Sequence, residues 1–285
     1  MGRVKICFLL LIISVSYSIA QINPGAKEAA MGNSAVALSD NAMALYGNPA
    51  GSAQLSWKEF SAYYAPSYFG VKELATASAA ALIPFSFGVI SGGFSTYGFE
   101  LFRETTLSAS FSKIFFKRIL FGLSVDYKSL KIRRYGNASS VLFNFGGLIY
   151  LSQNVRLGFL IRNFTRATYK NYPDQIPSII SLGASVNPID EITMNIAICK
   201  DLEYPISTRF GLEYGIFTNL DLRFGYRTEP NSYTGGIGIK YKYFELDYAV
   251  FTHEELPISH QVSLIIALRD ITRRRKEIAE RFSGK

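Results

Sequence analysis

Residues 220–227 read LDLRFGYR, and the order of these side chains decides the fold. Leu220, Leu222, Phe224 and Tyr226 share one parity; Asp221, Arg223, Gly225 and Arg227 share the other. Successive side chains of a β-strand point to opposite faces, so this stretch has one greasy face and one face of charge and glycine. FELDYAV (244–250) repeats the arrangement, setting Phe244, Leu246, Tyr248 and Val250 against Glu245, Asp247 and Ala249. RILFGLSVDYK (118–128) does so again, with Phe121, Leu123, Val125 and Tyr127 opposite Gly122, Ser124, Asp126 and Lys128.

Working outward, about fourteen such segments follow one another between residues 57 and 269. Most are about 10–13 residues long, which exceeds the usual soluble strand and matches the roughly 9–11 residues that cross a bilayer at a tilt. Their connections alternate. IPFS, FFKR, LSQN, NPID, FTNL and YKYF are tight; SYFGVKE, KIRRYGNAS, TRATYKNYPDQIP and HEELP are longer and polar. Short turns at one end and longer loops at the other typify outer-membrane barrels. A soluble β-sandwich also alternates, but long strands with aromatic residues near their ends do not suit it. The fold class expected is therefore all-β: a transmembrane, antiparallel, up-and-down β-barrel, with greasy side chains turned to lipid. Closure pairs every backbone group and abolishes sheet edges, as hydrocarbon demands.

The composition agrees. Aromatic residues make up 14%, with 22 Phe and 18 Tyr against one Trp. The first twenty residues, MGRVKICFLLLIISVSYSIA, have a basic start, an apolar run and a small-residue end, the pattern of an export leader. Removing them leaves 28 basic against 22 acidic side chains, several of the basic ones beyond Leu268, and Cys199 as the sole cysteine. No internal disulfide is then available, and no concentrated basic footprint points to nucleic acid. The chain divides into a leader (1–20), a small-residue segment (21–56), the barrel (57–269) and a basic tail (270–285).

On the polar parity the expected lumenal charges are Asp126, Arg209, Glu213, Arg223, Lys240, Glu245 and Asp247, among Ser108, Ser110, Ser112, Asn144, Ser181, Ser185 and Ser263. Tyr63, Tyr64, Tyr127, Tyr150, Tyr214, Tyr226, Tyr241 and Tyr248 fall near strand ends, where an interfacial girdle belongs. Gly92-Gly93 has two readings: a kink that opens the wall sideways, or close packing against something inside. The tail, with Arg273, Arg274, Arg275 and Lys276, either meets anionic headgroups or a periplasmic partner, or is solvated.

The segment GAKEAAMGNSAVALSDNAMALYGNPAGSAQL (25–55) stands before the strands. Ser39 is placed to cap a short helix through Tyr46, with Gly47 to end it and Pro49 to prevent continuation. Its alanines suit either a hatch packed in the lumen or an alanine-rich periplasmic linker. The run resembles the N-terminal signature of the FadL-like outer-membrane barrels, including the PorV/PorQ-type branch associated with type IX secretion. Gly25, Ala26, Met31, Gly32, Asp40, Asn41, Ala44, Asn48, Pro49, Ala50 and Gly51 carry the resemblance. Beyond these positions it is one of architecture, a fourteen-strand barrel with an N-terminal hatch.

The resemblance implies a non-enzymatic outer-membrane protein in contact with lipid. Three functions fit. The expected one is a PorV/PorQ-like accessory to protein secretion or surface attachment, with secretion-system or surface proteins as partners. The alternative is a FadL-like channel for a hydrophobic small molecule, and the third is a structural barrel. The short polar outer loops and polar lumen weigh against the channel. No catalytic constellation, metal-ligand spacing or phosphate loop stands in the sequence, so no catalytic residue, metal or cofactor is expected. His253 lies with Glu254 and Glu255 in a polar loop, THEEL.

Overall fold

The computed structural model describes residues 24–169, 176–253 and 256–283. The expected leader, Glu254, Glu255 and part of the loop between residues 166 and 177 lie outside the described residues. Fourteen strands follow in chain order: β1 Glu59–Ser67, β2 Thr76–Phe85, β3 Gly88–Gly98, β4 Phe102–Phe115, β5 Ile119–Ile132, β6 Gly136–Ser152 and β7 Val155–Arg162; then β8 Ile179–Ile189, β9 Ile192–Asp201, β10 Ile206–Phe217, β11 Leu220–Thr228, β12 Asn231–Tyr241, β13 Phe244–Phe251 and β14 Ser259–Ala267. Each pairs antiparallel with its neighbours in sequence, and β1 pairs with β14, so the sheet closes. No helix among the described residues is long and apolar enough to cross a membrane; that observation does not bear on strands.

The alternation read in the sequence fixes which face is which. In β13, Glu245 and Asp247 are fully buried while Leu246 between them is 52% exposed. The barrel is thus inverted relative to a soluble protein: apolar side chains cover the outside and polar ones the bore. Ser108, Ser110, Ser112, Ser124, Ser181 and Ser185 all face inward and are buried. Such an outer surface suits hydrocarbon.

Two of the eight girdle tyrosines point inward instead. Tyr63 and Tyr150 are both 3% exposed. They sit on the lumenal parity, where Tyr63 donates to Gln261 (2.8 Å) and Tyr150 donates to Gln54. Position near a strand end did not decide the matter; parity did. Tyr64, Tyr127, Tyr214, Tyr241 and Tyr248 are exposed on the outer face as expected.

The apolar core lies within the bore, toward the end that carries the short turns and the tail after β14. Leu55, Leu82, Leu120, Leu148, Ile265, Ile271, Ile278 and Phe282 meet there. Two of these elements are not wall at all: the segment before β1 and the tail after β14.

Candidate functional site

The segment before β1 lies inside the barrel, folded as three short helical pieces: Ala26–Ala30, and 3-10 turns at Ala42–Leu45 and Pro49–Gln54. This resolves the two readings of residues 25–55 in favour of a lumenal hatch. It is not one helix capped by Ser39. Ser39 takes a left-handed φ of 34° and donates to the Ala35 carbonyl (2.8 Å), while Asn41 caps the second piece by accepting from the Met43 amide (2.9 Å). Pro49 starts the third piece rather than merely stopping the second, because its missing N–H and fixed φ suit a first helical position.

Each signature residue has a physical task. Gly25 and Gly32 take φ of 130° and 65°, and a side chain at Gly32 would meet the Phe210 carbonyl. Gly51 packs so near the Ser39 carbonyl that no Cβ fits. Asn41 also donates to Glu28 (2.8 Å). Asn48 is the anchor: its Nδ2 points at the carbonyls of Val36 (2.9 Å), Gly147 (3.2 Å) and Phe159 (3.1 Å), and its Oδ1 accepts from Ala50 (3.1 Å). One amide thereby joins two parts of the hatch to two strands of the wall. Met31, Ala44, Pro49 and Ala50 are buried against the bore.

The wall receives the hatch on glycines. A Cβ on Gly236, Gly225, Gly211, Gly183, Gly158, Gly146 or Gly122 would lie within 3.2 Å of Ala30, Gly32, Ser34, Val36, Ala37, Asn48 and Ala50 in turn. These glycines belong to β12, β11, β10, β8, β7, β6 and β5. Hatch residue numbers rise as strand numbers fall, so the hatch winds round the inside of the barrel. Gly93 on β3 belongs to the same seat, facing Leu45 and Tyr46. The pairing of β3 with β2 and β4 runs through Gly92 and Gly93 without a register shift. In this state β3 is continuous there, and Gly93 leaves room for Tyr46, whose hydroxyl donates to the Ala79 carbonyl (2.8 Å).

Below the hatch the lumenal charges converge. Arg223 is fully buried and faces Glu213 (2.5 Å), Glu245 (3.0 Å), Asp221 (3.4 Å) and Asp247. Lys240 pairs with Asp221. From the hatch, Lys27 reaches Asp40 (2.8 Å) and Glu213 (3.8 Å). Burial alone would lower the Lys27 ammonium pKa, but Asp40 and Glu213 outweigh it and hold it above its usual value. Burial would likewise raise Asp40; Lys27 and Arg274 overcome this and hold its carboxyl below the usual range.

Five of the seven expected lumenal charges therefore share one network. Asp126 and Arg209 do not join it. Asp126 accepts from Ser108 (2.6 Å) and Asn144 (2.7 Å), and Arg209 lies at 3.4 Å from the Asn33 carbonyl. The sequence reading missed Lys27, Glu59, Asp221, Arg274 and Arg275. Asp221 shares the parity of Arg223 and was recoverable on that ground; the two arginines were not, because they come from the tail.

The tail is not solvated. After a turn at Ile271–Arg273, the helix Arg274–Arg281 crosses the mouth of the barrel. Arg274 is 3% exposed and bonds Glu59 (2.8 Å), with Glu245 at 3.5 Å. Arg275 reaches Glu213 (2.7 Å) and the Glu191 carbonyl (2.9 Å). Phe282 stacks on Tyr150 with ring centroids 3.9 Å apart. The exposed side chains of Arg273 and Lys276 alone keep the outward reach expected of the run.

Two spaces of mixed lining remain, one on each side of the hatch. On the long-loop side of the hatch a cavity of about 50 Å³ is bounded by Glu28, Asn33, Val36, Arg162, Cys199 and Arg209. On the other side a cleft of about 650 Å³ runs beside the tail helix, between Arg156, Asn187, Phe217 and Lys240, up to Asp40. The hatch stands between these two spaces, Ser39 lining one and Asp40 the other.

A closed fourteen-strand barrel with a lumenal hatch defines the class of fold. The sequence matches no protein-family model and no curated protein. Solved structures with the same fold are the toluene transporter TbuX of Ralstonia pickettii, at 15% identity over 87% of this chain and 98% of that one (TM-score 0.65). The Pseudomonas putida toluene transporter TodX matches at 14% identity over 85% and 96% (TM-score 0.60). A FadL homologue of Pseudomonas aeruginosa matches at 11% identity over 87% and 98% (TM-score 0.60). These structural neighbours are FadL-type barrels and transporters rather than enzymes.

Proposed function

We propose that this chain is an outer-membrane channel for a hydrophobic small molecule, held closed by its hatch. One observation carries the reading: a hatch seated round the whole inside of a closed barrel whose fold is that of the hydrocarbon transporters TodX and TbuX. The apolar outer face supports an outer-membrane location, reached by way of the leader at residues 1–20, with the short turns and the tail on the periplasmic side. The channel was the alternative in the sequence reading; the structural likenesses favour it over the secretion-accessory role. That role rests on the hatch signature at residues 25–51 alone, and no comparison supports it.

In this state the lumen is shut: the cavity outside the hatch is far below the roughly 300 Å³ at the lower end of small-molecule sites. Passage therefore requires the hatch to move. The test is entry of a hydrophobic fluorescent probe into cells that lack other channels of this fold. Wild-type protein should raise the entry rate, and Asn48→Ala, which removes the hatch anchor, should raise it further at equal folded abundance. Equal entry with and without the protein would overturn the reading.

A further inference from the structure

The tail helix touches more than the rim. It starts at β14, and Phe282 at its far end stacks on Tyr150 of β6, across the barrel. On the way it holds the hatch from beneath at two points: Arg274 donates to the Asp40 carbonyl (3.3 Å) and Arg281 to the Gln54 carbonyl (3.0 Å). Arg274 and Arg275 also take carboxylates from β1, β10 and β13. Ile271, Ile278 and Phe282 place one apolar face against the core under the hatch, each 3% exposed or less.

We infer that residues 270–283 form a retaining strap that bars the hatch from leaving through the periplasmic mouth, so that release of the strap, with the wall ladder intact, frees the hatch to move. The wall cannot play that part. Its strands are paired into a closed ladder without a free edge, whereas the strap is held by side chains along one short helix. The cleft beside the helix shows that the strap does not itself seal the mouth. Its role is mechanical, to keep the hatch seated. The strap also couples the two halves of the lock, since Glu213 binds both Lys27 of the hatch and Arg275 of the tail. This is a statement about how the barrel is closed, and it holds whatever solute crosses.

The molecule contains its own reporter. Cys199 is 3% exposed and packs with Val36 of the hatch, Leu160 and Ala197, on the long-loop side. No tail contact reaches it, so its reactivity reports the hatch and not the strap directly. In folded, detergent-solubilised protein, a small charged methanethiosulfonate should modify Cys199 slowly. Phe282→Ala combined with Arg275→Ala should speed that reaction by at least about tenfold, as expected when an opened state becomes more populated. Phe282→Tyr, which keeps the stacked ring, should leave the wild-type rate.

Folding of each variant is verified by the faster gel migration of unheated barrels. Where the double substitution does not fold, Arg281→Ala alone replaces it, with a smaller acceleration expected. An unchanged Cys199 rate in a folded strap variant overturns the inference. So does equal acceleration by Phe282→Tyr, which would detach the effect from strap docking. Because no solute is present, a negative result in the probe-entry assay leaves this experiment intact.

Discussion

Arg223 and Arg209 show why one arginine in the same bore matters more than another. Arg223 is fully buried among four carboxylates, and its removal takes from the buried Asp247 the cation that pairs with it. Breaking a buried ion pair from one side costs about 3–5 kcal/mol. Arg223→Met should cost at least that, read as a lower guanidinium midpoint for loss of the compact unheated gel band. Arg209 forms no ion pair among the described residues and is half-buried; Arg209→Met should stay within about 1 kcal/mol. The two were indistinguishable in the sequence, where both lie on the polar parity of strands next to each other. Parity tells which way a side chain points and is silent on its height in the bore, and height decides which carboxylates it meets.

Among the elements, the strands were legible and the hatch only partly so. A strand announces itself locally because its period is two, and the count of about fourteen read from alternation matches the fourteen observed strands. The hatch has no period. Its pieces are single turns held by Asn41, Asn48 and a polar contact here and there, so a run of small residues read as one helix where there are three. The tail did carry a signal: Ile271, Ile278 and Phe282 fall at helical spacing on one face, which a solvated helix does not need. Where that face docks is a tertiary fact that no local pattern holds.

Two predictions belong to the hatch. Gly146→Val places a branched side chain into Asn48 and Pro49, so it should displace the hatch while the wall, whose ladder is unaffected, stays closed. Amide exchange should then quicken across residues 26–54 and not in β6. Acid should loosen the same element. The Asp40 carboxyl is held below its usual range, so its contribution is complete above the ordinary carboxylate value of about 4 and drains as pH falls through the depressed one. Cys199 should become more reactive, measured with an acid-tolerant disulfide reagent, as pH drops below about 4; no change down to the onset of global unfolding would count against it.

As a whole, the molecule turns the usual arrangement of a globular protein inside out. Phe, Leu and Tyr cover the outside, serine and charge fill the bore, and the apolar core is built from hatch, tail and the lower wall together. The chain without its leader should therefore need detergent or lipid to stay monodisperse, checked by light scattering after detergent removal. A clear, monomeric solution in plain buffer would contradict the orientation of every strand. Function at this scale was the least legible part of the sequence, because what passes or is held depends on hatch movement, and movement leaves no periodicity.

The glycines under the hatch have a consequence for the interpretation of other chains. A wall that had never held an insert would have no reason to lose side chains along a single spiral, one strand after another. The bare positions are a negative imprint of the occupant, written into strands far from it in the chain. Staggered glycines of this kind, sought on the bore-facing parity of unfamiliar barrels, would separate obstructed pores from empty ones before any coordinates exist.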